Sequence, residues 1–89
     1  MEKIEFTRVN NDVNGNPRFA CHFLNLLNDN LRYNYELSIS EKYNIALKFA
    51  KKIGGKKFHN KQYGGGIVFQ SYNINETEKQ IEELKQNNI

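Results

Sequence analysis

Residues 48–72 read KFAKKIGGKKFHNKQYGGGIVFQSY and contain Lys48, Lys51, Lys52, Lys56, Lys57 and Lys61 without one Asp or Glu. Six of the 13 basic residues fall in this stretch, so it carries +6 while the rest of the chain sums to −3. Phe58, Tyr63, Phe69 and Tyr72 are interleaved with the lysines, and Gly54-Gly55 and Gly64-Gly65-Gly66 punctuate them. This combination suits a polyanion. Each lysine that neutralises a phosphate releases counterions, and aromatic rings stack on bases where strands are open. Glycines let backbone approach a ligand closely. The competing reading is a solvated lysine face. The expected binding residues are Lys48, Lys51, Lys52, Lys56, Lys57 and Lys61, with Phe58 and Tyr63.

Other chemistries find little support. A phosphate loop follows a strand, opens a helix and ends in GK[ST], whereas Gly64-Gly65-Gly66 precedes a strand-like run with no such tail. IGGKKF does not match the GxxG loop of KH domains, because position 57 is Lys. Cys21 and His22 are adjacent on a predicted strand and project to opposite faces, so they form neither a nucleophile–base pair nor a shared metal site. His22 and His59 have no Cys or carboxylate at ligand spacing. Glu76, Glu78, Glu82 and Glu83 crowd a polar C-terminal helix and read as a solubilising surface. The expectation is a non-enzyme with no catalytic residue, metal or cofactor.

The elements that must position the lysines follow from periodicity. Ile4, Phe6 and Val9 mark a first strand, and Asn14-Gly15 is a type I′ hairpin signal. RFACHFLNLL is a return strand, apolar on both faces and therefore central. LRYNYEL alternates as a third strand. Ser38 and Glu41 have capping-box spacing and open a helix whose Tyr43, Ala46, Leu47, Ala50 and Ile53 share a face. Asn44, Lys48, Lys51 and Lys52 share the opposite face, and Gly54 ends the helix. KKFHN and GIVFQSY are two further strands, and a last helix capped by Asn75 and Glu78 has an apolar seam of Ile81 and Leu84.

Eighty-nine residues make one domain. Residues 1–74 are its α+β body, and 75–89 are a peripheral helix and tail. The expected fold is α+β, a small mainly antiparallel sheet (β-β-β-α-β-β-α) packed on one central helix. Its core should hold Ile4, Phe6, Phe19, Cys21, Phe23, Ala46, Leu47, Ala50, Ile53, Ile67 and Phe69. Cys21 is the single cysteine and no long apolar run occurs, so the expected compartment is the reducing cytoplasm, with no membrane contact.

NGNPRF in the first hairpin, with KKIGGKKF and YGGGIVFQSY after the helix, resembles small uncharacterised proteins encoded on phages, plasmids and integrative elements. That resemblance covers about residues 6–73. It implies an accessory mobile-element protein that acts by binding DNA, or as a stoichiometric inhibitor of host defence of the anti-CRISPR type. Three strands followed by a helix also resemble the sheet-in-groove DNA-binding domains of the AP2 and integrase-arm type. Only Arg8, Arg18 and Arg32 are basic candidates on such a sheet, and most positive charge lies beyond it.

The expected function is thus a non-catalytic binding protein of a phage or mobile element, engaging nucleic acid or a host nucleoprotein through residues 48–61. The alternative is a protein–protein module or homodimer, using the Tyr33/Tyr35 strand or the C-terminal helix.

Overall fold

A computed structural model describes residues 4–58, 65–70 and 73–87. Two hairpins lie side by side in it. β1 (Thr7–Val9) pairs antiparallel with β2 (Arg18–His22), and β3 (Gly55–Phe58) pairs antiparallel with β4 (Gly66–Phe69). β4 also pairs antiparallel with β2, giving the order β1-β2-β4-β3. Between the hairpins run a 3-10 helix (Phe23–Leu26), α1 (Asp29–Arg32) and α2 (Ile39–Lys51), and α3 (Ile74–Asn87) follows β4. The class is α+β, with an antiparallel sheet covered by helices.

Alternation along the strands sorts side chains to two faces. Phe69 and Ile67 pair with Phe19 and Cys21 and turn toward the helices, while Ala20 and Val68 form a buried pair on the other face. The core joins Ile4, Cys21, Phe23, Leu26, Leu27, Ala46, Ala50, Ile67, Phe69 and Ile81. Phe6 and Ile53 pack against its rim. Phe19 and Leu47, expected in the core, are half-buried. Ile81 is fully buried, so α3 contributes to the core through the residue that the sequence placed on a weak seam.

The helix expected after Ser38 forms as its capping box dictates: the Glu41 amide donates to Ser38 Oγ at 3.1 Å, and that hydroxyl donates to Glu41 Oε1 at 3.1 Å. Three other segments differ from expectation. The third strand at 31–37 is absent: Asn28 Oδ1 accepts from the Leu31 amide at 3.0 Å and nucleates α1, while Asn34 Oδ1 accepts from the Glu36 amide at 2.9 Å. Asn side chains thus offer the backbone local partners that compete with a sheet ladder. The return strand stops at His22, whose Nδ1 accepts from the Leu24 amide and caps the 3-10 helix carrying Phe23 and Leu26 into the core. α3 begins at Ile74 and is capped two residues before the expected Asn75, because Asn73 Oδ1 accepts from the Glu76 amide at 3.1 Å.

The first hairpin is tied differently from a type I′ turn, which needs positive φ at both central residues. Among the described residues only glycines have positive φ, so Asn14 does not qualify and Gly15 (φ 83) does. Asp12 organises the loop instead: its Oδ1 accepts from the Asn14 and Asn16 amides at 2.9 and 2.8 Å, and its carbonyl accepts from Gly15. The Asn16 amide holds the Asp12 carboxyl below its ordinary range.

α2 reaches the sheet at Gly55. A Cβ there would lie 2.7 Å from Ala50 Cβ and 2.7 Å from Phe69 Cε1. Gly55→Ala is therefore expected to destabilise the fold by roughly 1–3 kcal/mol through overpacking, read as a lower urea midpoint. Gly66→Ala, whose Cβ would meet nothing closer than 3.4 Å, serves as the near-neutral control. Equal midpoints for the two variants would contradict the close approach.

Cys21 is buried, and burial pushes its thiol up to about 12. The unfolded thiol ionises near about 8.5, so folding holds a proton that the unfolded chain releases. The resulting stability is complete below the unfolded value and is lost as pH rises toward the folded one. Between about pH 8 and about pH 10, wild type should lose roughly 2 kcal/mol more than Cys21→Ala in urea unfolding. Parallel pH profiles would contradict a buried thiol.

Candidate nucleic-acid interface

The basic surface is assembled from the last turns of α2 and from β3. Along α2, Lys42, Ala46 and Ala50 recur at intervals of four and face inward, and the two alanines are 0% exposed. Lys48, Lys51 and Lys52 lie on the exposed side with Asn44. Glu41 in the first turn, against Lys48 and Lys51 in the last, complements the helix dipole. Gly54 (φ 83) supplies the left-handed turn that redirects the chain from helix to strand. Gly55 then enters β3 beneath Ala50, so the strand that carries Lys56 and Lys57 follows directly on the lysine-bearing end of the helix.

β3 is an edge strand, and Lys56 and Lys57 on it are both exposed. Alternation sends them to opposite faces: Lys57 to the helix side with Gly55, Lys56 to the other side with Phe58. The five described lysines therefore form a ridge that wraps the sheet edge rather than a flat patch. Lysine on an edge strand also discourages strand addition by another chain, so Lys56 and Lys57 serve the fold whatever they bind. None of the five pairs with a carboxylate among the described residues; the ion pair seen there joins Lys85 to Glu82 at 3.7 Å. Lys52 Nζ sits 5.7 Å from the Phe49 ring centroid, a contact with an apolar partner that leaves the charge uncompensated.

Phe58, expected as a stacking residue, is half-buried and lies against the Gly66 backbone: a Cβ on Gly66 would come 3.4 Å from Phe58 Cδ1. The ring covers a cross-strand glycine first and presents only part of its surface. Lys61 and Tyr63, like His59 and Gly64, lie outside the described residues. Gly65 (φ 124) has a role in packing, because a Cβ on it would stand 2.6 Å from the Tyr43 ring, and the Tyr43 hydroxyl donates to the Gly66 carbonyl at 3.1 Å. Burial pushes the Tyr43 phenol above its ordinary range.

Lys42 was not singled out by the sequence. It is 7% exposed, and its Nζ donates to the Arg32 carbonyl at 2.9 Å, tying α1 to α2. The interval of four to Ala46 and Ala50 was the available signal. The alternative interface residues separate: Tyr33 and Tyr35 are exposed, whereas Ile81 is buried inside the molecule and offers no seam to a partner.

Among the described residues no group of His, Cys, Asp or Glu could hold a metal ion, and no helix is long and apolar enough to cross a membrane. A crevice lined by Phe6, Phe19, Phe69, Ile74 and Thr77 carries one hydroxyl and has no room for a water molecule. No curated protein and no solved structure matches the chain. A family profile matches it along residues 1–89, the whole of its length. The chain belongs to the family of the Staphylococcus phage terminal repeat-encoded protein TreK.

Proposed function

We propose that this phage protein is a non-catalytic binding protein whose Lys48, Lys51, Lys52, Lys56 and Lys57 ridge engages nucleic acid, free or within a host nucleoprotein. One observation carries the reading: five exposed lysines follow one another along the end of α2 and the edge strand it leads into, with no carboxylate paired to them among the described residues. A ridge of uncompensated charge gains most from a ligand of closely spaced negative charges, and phosphates along a strand are that ligand. The family is one of phage proteins, and the target we propose is a host nucleoprotein, with stoichiometric inhibition of a defence complex as the outcome.

Anisotropy of labelled oligonucleotides, titrated at several salt concentrations, tests this. With five phosphate contacts the slope of log affinity on log salt should be about −4.5 for duplex and about −3.5 for single strands. Reversing the five lysines to Glu should abolish binding while the far-ultraviolet circular dichroism stays unchanged, since all five side chains are exposed. Binding that survives the reversal, or that is insensitive to salt, would overturn the proposal.

A further inference from the structure

The opposite end of α2 presents a different surface. Among the described residues the exposed large apolar side chains are Val13, Tyr33, Tyr35 and Ile39, and three of those four fall within residues 33–39. Tyr35 is 91% exposed, Ile39 59% and Tyr33 57%. Single exposed apolar residues are ordinary, but a cluster on one short connector is not. The connector is also held from below. The Tyr33 amide donates to the Asp29 carbonyl at 3.0 Å, Asn34 bonds both Glu36 and Leu37, and Ser38 caps the helix that follows. Lys42 anchors the Arg32 carbonyl from inside, and the Arg32 guanidinium lies 5.7 Å from the Tyr33 ring centroid. Tyrosines on a backbone held in this way have only two side-chain torsions each to order on binding, and Tyr and Arg predominate at the energetic centres of interfaces.

The charge around them selects the partner. Asp29, Glu36 and Glu41 are exposed in the same stretch, against Arg32, so residues 29–41 carry −2 while residues 48–58 carry +5. We infer that Tyr33, Tyr35 and Ile39 form a protein-docking surface for a partner whose contact face is basic, with apolar residues set among lysines or arginines. The carboxylates meet the partner's cations at the rim, and the tyrosines fill its apolar centre. Along α2 the rise from Ile39 to Lys48, the first lysine of the ridge, is about 14 Å.

Selection from a library of random dodecapeptides on the full chain tests the inference. Enriched sequences should combine aromatic or aliphatic residues with several Lys or Arg. Tyr35→Ser and Tyr33→Ser should each weaken a selected peptide by roughly 10-fold or more, the loss of a central contact. Asp29→Asn with Glu36→Gln should weaken it further, and replacement of the five ridge lysines by Gln should not weaken it. Tyr35 is almost wholly exposed, so its variant keeps the fold. Four results would overturn the inference: no enrichment, enrichment of acidic peptides, binding indifferent to both tyrosines, or a concentration-dependent mass in sedimentation that Tyr35→Ser abolishes. The last would make a second copy of the chain the occupant.

Discussion

The missing side chain at Gly55 sets the spacing on which the rest of the molecule depends. Ala50 and Phe69 occupy the volume that a Cβ would need, so helix and sheet meet at the distance only glycine permits. Ala46 and Ala50, both fully buried, continue the same principle along α2: small residues bring backbone close to the sheet and leave the larger Phe23, Leu26, Ile67 and Ile81 to fill the space beside it. Interiors are packed densely enough that such a contact has one good distance. Because β3 begins within four residues of the end of α2, that contact also fixes where the lysines of helix and strand stand relative to one another.

α2 is therefore both the central packing element and the frame of the two proposed surfaces. Its inward stripe is Lys42, Ala46 and Ala50, its C-terminal end carries the cationic ridge, and its N-terminal end joins the carboxylate-rimmed tyrosines. The distribution agrees with the helix dipole, which favours acid at the start and base at the end. That preference alone accounts for Glu41, Lys48 and Lys51. It does not reach Lys56 and Lys57 on the strand, nor Tyr33 and Tyr35 in the connector. Those four lie beyond the dipole's range, although Lys56 and Lys57 also protect the sheet edge.

What could be read from the sequence depended on whether local signals agreed. At Ser38 the cap, the acid three residues on, the apolar spacing and the terminal glycine all pointed to one helix, and the helix stands there. At 31–37 alternation of Leu and Tyr with polar residues imitated a strand, while Asn28 and Asn34 supplied side-chain acceptors that close turns; the turns prevail, leaving Leu31 and Leu37 half-buried and the tyrosines exposed. Asn14-Gly15 predicted a hairpin correctly and its turn type wrongly, because Asp12 bonds three groups of the loop. In the ridge, composition identified Lys48, Lys51, Lys52, Lys56 and Lys57, but strand alternation divides the last two between faces and turns Phe58 onto Gly66. Ile81 shared a two-residue seam with Leu84 on a polar helix, and only the three-dimensional packing of α3 against the 3-10 helix shows why it is there.

The most direct test is a map of backbone amide shifts as isotopically labelled protein is titrated with an oligonucleotide at low salt. The ridge account predicts shifts concentrated in residues 48–58, with those of 29–41 left in place. Shifts centred on the tyrosine connector or the β1–β2 loop, or none at all, would contradict it.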